Sequence, residues 1–239
     1  MEAFEGLILK QIQFKESSKI LYLYTPEGPM SVLVHGAKKV TGSRLALTEN
    51  LTRIKFFGSG KTMKTLTDGE VLADYRKIKD NLEKFTYAQH LTEILHFFSE
   101  SQFDHKKMYE FTRKILEKIE SETYYTRYAY MFELKFLHLL GVAPNFVSCA
   151  ACGATGELRF SVKDGGYACS KHAGMGPWED PDVVERMKIL YYHNLKNPLD
   201  FRPDDRIRRE IRRFLDEYYQ YHLNFKSKSR TILQGLLGY

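Results

Sequence analysis

The hydrophobic pattern changes period once along the chain. Over residues 4–12, 20–25, 30–34, 51–57 and 62–72, β-prone residues alternate with polar ones or form short apolar runs. Lys15-Glu16-Ser17-Ser18, Pro26-Glu27-Gly28-Pro29 and Gly58-Ser59-Gly60 separate these stretches as turn signals. Such punctuation predicts five short strands. About 75 residues leave no room for crossover helices, so a small antiparallel barrel is expected, with the five-stranded OB barrel its simplest form.

From Asp80 the period becomes helical. Leu82, Phe85, Ala88, Leu91, Leu95 and Phe98 recur at helical spacing, and Met108, Phe111, Ile115 and Ile119 repeat it. Residues 128–140 are apolar nearly all round, which predicts a central buried helix. Gly141 and then Pro144 supply its stop. Asp180-Pro181 predicts the start of a further helix, with Asp as cap and Pro in the first turn. A last helix is expected over 205–223, with Ile207, Ile211, Phe214, Leu215 and Tyr218 inward. The fold class is therefore α+β, with a barrel domain over 1–78 and a helical domain over 79–239.

Three cysteines, all between 149 and 169, are an odd and clustered set. That favours a metal site over a disulfide framework. Cys149-x2-Cys152, 16 residues, then Cys169-x2-His172 is the two-knuckle zinc spacing, with one histidine among the ligands. Two residues between ligands let a tight turn aim both side chains at one ion. The segment between must return the chain, and Leu158 to Val162, Lys163-Asp164-Gly165-Gly166 and Tyr167-Ala168 read as a hairpin that does so. The module spans about residues 145–176. All four tetrahedral positions are filled by protein, so one structural zinc ion is expected and no position remains for an activated water.

No catalytic motif emerges. No nucleotide-binding or nucleophile-elbow pattern occurs, and no His-x-Glu accompanies the cysteines as zinc deaminases require. Gly58-Ser59-Gly60-Lys61-Thr62 lacks the first glycine of a phosphate-binding loop and lies between strands, where a hairpin turn accounts for it. His90, His96 and His138 lie in apolar helical stretches and read as core or interface residues. The expectation is a protein that is not an enzyme. With no spanning apolar run and no secretory pattern at its start, it is expected in the cytoplasm, with no membrane partner.

Net charge is +6, carried by the ends: 12 Lys/Arg stand against 8 Asp/Glu over 1–78, 12 against 15 over 79–184, and 12 against 7 over 185–239. Such asymmetry favours a polyanionic partner. Two segments concentrate it. Lys38, Lys39 and Arg44 follow the third strand, where a barrel rim can track phosphates. Arg208, Arg209, Arg212 and Arg213, one turn apart in pairs, are expected to form an exposed stripe on the last helix, which either faces phosphates or an acidic protein tail or is a salt-bridged solvent face served by Glu210, Asp216 and Glu217.

These pieces, taken in order, resemble the bacterial recombination mediator RecO family over essentially the whole chain. They are Gly6-Leu7-Ile8-Leu9, Glu16-Ser17-Ser18-Lys19-Ile20-Leu21, Gly36-Ala37-Lys38-Lys39, Ser43-Arg44-Leu45, Phe132-Glu133-Leu134-Lys135-Phe136-Leu137, Leu140-Gly141-Val142-Ala143-Pro144, Cys149-x2-Cys152-Gly153, Phe160-Ser161 through Gly165-Gly166 to Cys169, and Lys226-Ser227-Lys228-Ser229-Arg230. The resemblance implies an N-terminal OB domain, a helical C-terminal domain and an inserted zinc module. It implies binding of single- and double-stranded DNA, annealing of complementary strands, and work with RecR and single-stranded-DNA-binding protein to load RecA, with a place near the nucleoid. The family pattern usually ends its zinc site with a fourth cysteine, where His172 stands here. A protein–protein adaptor without direct DNA binding is the alternative.

Overall fold

The computed structural model describes residues 2–36, 45, 47–60 and 63–237. Strands β1 (Glu2–Phe14), β2 (Ser18–Thr25), β3 (Gly28–Val34), β4 (Arg53–Ser59) and β5 (Lys64–Ala73) close into a barrel in the order β1-β2-β3-β5-β4. All neighbours are antiparallel except β3 and β5, which run parallel. This is the five-stranded closure that the turn spacing led us to expect. Alternation is clearest in β4, where Ile54, Phe56 and Gly58 point in and Lys55, Phe57 and Ser59 point out. Ile8, Leu21, Leu23, Val32, Val34, Ile54 and Phe56 fill the interior with Leu47. The Gly58-to-Gly60 segment leads from β4 into its antiparallel partner β5, the hairpin reading of that motif.

Packing groups the barrel with the helices that follow it. Residues Met1–Ser121 and Ser229–Leu236 make one compact unit, and Glu122–Lys228 with Leu237–Tyr239 make a second. In the first, α1 (Arg76–Lys79), α2 (Leu82–Phe97) and α3 (His105–Ser121) succeed the strands. The Asn81 side chain caps α2 by accepting from the Lys84 amide. Tyr109 of α3 donates to Glu5 of β1 at 2.8 Å, and the Tyr24 hydroxyl meets His105 Nδ1 at 2.8 Å. A helix that the sequence pattern did not predict, α7 (Lys228–Leu237), returns to this unit, where the Ser229 hydroxyl donates to Glu93 at 2.7 Å.

The second unit is built on α4 (Thr126–Leu139), which is buried on nearly every side. It ends as expected at Gly141 (φ 74), with the Val142 amide returning to the Leu137 carbonyl. Helices α5 (Pro181–Tyr192) and α6 (Asp205–Leu223) pack on it. The Asp180 cap and the first-turn proline of α5 fall where the sequence placed them. Asp204 caps α6 by accepting from the Ile207 amide at 2.8 Å. Among the described residues, no helix is long and apolar enough to cross a membrane.

Among the described residues, one ion pair is fully enclosed. Glu133 on α4 is 0% exposed, Arg212 on α6 is 1% exposed, and they meet at 3.2 Å. The Arg212 guanidinium also lies over the Tyr130 ring, 4.9 Å from its centroid. A lone charge at this depth is far costlier than the pair. Arg212→Ala and Glu133→Ala are each expected to lower the unfolding free energy by about 3–5 kcal/mol. Urea denaturation checks this, and a loss under about 1 kcal/mol for both would show that the pair is dispensable.

Candidate metal centre and cationic surfaces

The chain reaches its first knuckle through an Asx turn. Asn145 Oδ1 accepts from the Val147 and Ser148 amides, which bends the chain toward Cys149. Strands β6 (Leu158–Ser161) and β7 (Gly166–Cys169) then form the expected hairpin. Asn145 bridges to it: its amide donates to the Gly165 carbonyl, and the Tyr167 amide donates back to the Asn145 carbonyl, both at 2.9 Å. The approach is so close that a Cβ on Gly166 would lie 2.4 Å from the Asn145 nitrogen, so only glycine fits. Stacked Phe146 and Phe160, 5.2 Å apart, with Phe214 of α6 at 5.7 Å from Phe160, fasten the hairpin to its helices.

Cys149, Cys152, Cys169 and His172 converge, with all four ligand atoms within 4.8 Å of one another. Cys152 Sγ and Cys169 Sγ are 3.8 Å apart, and His172 Nδ1 lies 3.7 Å from Cys149 Sγ and 3.4 Å from Cys169 Sγ. Tetrahedral zinc with sulfur at ~2.3 Å and nitrogen at ~2.0 Å requires edges of about 3.8 Å (S–S) and about 3.5 Å (S–N). The group therefore has the size and donors to hold such a cation.

The surrounding backbone favours thiolates. The Cys169 amide, followed by those of Ala151 and Cys152, brings the Cys149 thiol down to about 6, and the Lys171 amide leads in lowering Cys169. Cys152 is pushed the other way: the Ala154 amide favours its thiolate, but the sulfurs of Cys149 and Cys169 and burial outweigh it. Negative charge gathered on adjacent sulfurs is what a bound cation relieves.

The cationic surfaces differ from expectation. Lys38, Lys39 and Arg44 lie outside the described residues. On α6 the exposed stripe does not form as a whole. Arg212 is the buried partner of Glu133, because it follows Ile211 and shares a helix face with Leu215 and Tyr219. Arg213 pairs with Glu179, Glu210 and Glu217. Burial pushes the Glu179 carboxyl above its ordinary value, against the pull of Arg213. Arg208 is partly buried and reaches Asp205 at 3.4 Å. Arg209 is exposed and, among the described residues, has no carboxylate partner. Of the three histidines, His90 is buried and His96 half-buried, whereas His138 is exposed at the end of α4, bonded to the Tyr191 hydroxyl. Sequence reasoning missed the outer face of β1–β3, although the unbroken apolar run Ile20-Leu21-Tyr22-Leu23-Tyr24 signals a strand with both faces covered.

A closed OB-like barrel, a helical unit and a Cys3His hairpin define a barrel protein with a metal-knuckle module. The family descriptions that match it are Recombination protein O N terminal, over residues 1–75, and Recombination protein O C terminal, over 79–231. Proteins named DNA repair protein RecO are similar along nearly the full length. That of Listeria innocua is 28% identical over 243 residues, covering 99% of this chain and 95% of its own. That of Listeria monocytogenes is 29% identical over 245 residues with the same coverage. That of Bacillus cytotoxicus is 28% identical over 240 residues, covering 97% and 96%. The chain belongs to the recombination protein O family.

Cys149→Ser is expected to abolish stoichiometric metal binding, and strong chelation to do the same to the unaltered protein. Either should lower the melting temperature by about 10 °C or more, since structural sites of this type contribute several kcal/mol to folding. Metal analysis with a thermal melt checks both, and an unchanged melt after complete metal removal would refute a structural role.

Proposed function

We propose that this protein is a DNA-binding mediator of recombinational repair that makes and breaks no covalent bond. It anneals complementary strands and, with RecR, helps load RecA onto single-stranded DNA coated by single-stranded-DNA-binding protein. The observation that carries this reading is the family match over both halves of a chain whose barrel and knuckle hairpin stand in the family's order. The bound metal is one structural zinc ion on Cys149, Cys152, Cys169 and His172, in keeping with the sulfur-rich donor set and its spacing. The protein works in the cytoplasm beside the nucleoid, where its substrate is.

The mechanism is electrostatic. Two complementary strands repel through their phosphates. A cationic surface that holds both lowers that repulsion, and pairing then proceeds without catalysis. Residues 1–78 form the DNA-binding domain in this reading. Lys38, Lys39 and Arg44 supply positive charge, and Arg209, with Arg208 beside it, supplies a smaller contribution from α6. In this reading Arg212, buried against Glu133, and Arg213, paired with Glu179, Glu210 and Glu217, contribute little. The same pairing weakens the adaptor alternative, because the helix that would have offered an acidic partner a basic stripe satisfies much of its own charge.

Affinity for single-stranded DNA is expected to fall linearly on a log–log plot as salt rises. Combined replacement of Lys38, Lys39 and Arg44 by Ala should make that slope shallower by about 2, from ~0.7 per phosphate contact. Fluorescence anisotropy over a salt series measures this. Binding indifferent to salt would end the electrostatic account, and an unaltered slope in the triple variant would clear that loop.

A further inference from the structure

The three cysteines that converge with His172 differ in their surroundings, and metal binding alone makes no use of the difference. Cys149 is 1% exposed and Cys169 9%, whereas Cys152 is exposed. Residues 150–157, which carry Cys152, are exposed throughout and lie in no strand or helix. A short turn shapes them: the Cys149 amide donates to the Ala154 carbonyl and the Gly153 amide to the Cys149 carbonyl, both at 2.8 Å. Next to Cys152, a side chain on Gly153 would meet nothing within 4 Å. Cys169, by contrast, ends β7 and is paired in register with Leu158 of β6. One sulfur thus stands at the water boundary on an open turn, and its neighbour is fixed in a ladder.

An accessible sulfur with a second sulfur in reach is the arrangement of an oxidation-sensitive pair. Cys152 Sγ stands 3.8 Å from Cys169 Sγ, and a disulfide needs ~2.05 Å, so closure asks for a shift of less than ~2 Å. The turn that must move is made of exposed residues, so lost burial does not oppose the shift. A cysteine that ligates a metal is held as thiolate, the form that attacks an electrophile.

We propose that Cys152 is a site of reversible oxidation by hydrogen peroxide, resolved by Cys169 as a disulfide that takes the metal centre apart. The proposal rests on the zinc reading above and goes beyond it by giving one ligand a second chemistry. The Cys152 sulfur attacks one peroxide oxygen. The O–O bond breaks, Cys152 becomes the sulfenic acid, and the departing hydroxide takes a proton from solvent. The Cys169 thiolate then attacks the Cys152 sulfur. The S–S bond forms, the S–O bond breaks, and a second hydroxide leaves and is protonated in the same way. Two thiolates, one peroxide and two protons become one disulfide and two waters, so two electrons pass from sulfur to oxygen. Cys149 and His172 are then the remaining donors, two where a structural zinc site uses four. The disulfide keeps the first knuckle joined to the end of β7, while Cys149 is set free. A dithiol reductant reverses the step by exchange.

The test uses the full-length protein, purified with its zinc and freed of reductant. Hydrogen peroxide is added in small molar excess. Zinc release is read with a chromogenic chelator, and cysteine states by peptide mass mapping after alkylation. Release of the ion is expected to accompany a Cys152–Cys169 disulfide, with Cys149 recovered alkylated. A sulfenic-acid trap present during brief exposure should label Cys152 before Cys149 or Cys169, and dithiothreitol with added zinc should restore the ion. Zinc retained with all three cysteines reduced, a Cys149–Cys152 disulfide, first labelling of Cys149, or sulfonic acid with no disulfide each overturns the proposal and leaves the metal site standing. Protein that carries no zinc as purified overturns the metal reading and the proposal together.

Discussion

Three sulfurs and an imidazole nitrogen within 4.8 Å of one another are the constraint around which the knuckle hairpin is arranged. Backbone amides draw Cys149 and Cys169 toward thiolates, and thiolates this close repel unless a cation sits among them. Both knuckles, the Asx turn at Asn145 and the bridge to Gly166 exist to bring these atoms together. The hairpin of four-residue strands has too little core to hold itself, and two-stranded hairpins alone are marginal. The Phe146–Phe160–Phe214 aromatic seam fastens it on one side, and the four converging side chains on the other form a group that could hold a metal ion.

Charge is used in two ways. On α6 it is spent on structure: Arg212 neutralises the acid in the middle of α4, Arg213 gathers three carboxylates, and Arg206 ties Asp180 and Asp182 at 3.0 and 2.8 Å. These arginines lock helices together, whereas Arg209 is exposed and, among the described residues, pairs with no carboxylate. The barrel differs. Its outer row sets a lysine against an aromatic ring, and its interior is entirely apolar among the described core residues.

Much of this was legible in the sequence. Alternation with turn residues located the five strands, and an all-round apolar stretch marked α4 as central. Asp180-Pro181 announced α5 because a capping carboxylate and a proline lacking an amide suit only a helix start. The knuckle spacing named the four residues that converge. What stayed hidden depended on tertiary partners. Helix α7 has a bond from Ser229 to Glu93, 136 residues away in sequence, which no local window contains. Arg212 was grouped with its neighbours by the one-turn spacing from Arg208, yet it shares a face with Leu215 and Tyr219. The clue lay elsewhere, in Glu133: an acid inside an apolar helix demands a cation from another element. Likewise His138 reads as apolar-helix core by neighbourhood but is exposed, since it stands in the last turn of α4.

The donor set itself is the most direct object of measurement. X-ray absorption at the zinc edge of the purified protein should show three sulfur neighbours at ~2.3 Å and one nitrogen at ~2.0 Å, with no oxygen in the shell. That result would establish a closed ion fixed by Cys149, Cys152, Cys169 and His172. A shell dominated by nitrogen and oxygen, or one containing a solvent oxygen, would contradict the closed structural site on which this account of the protein stands.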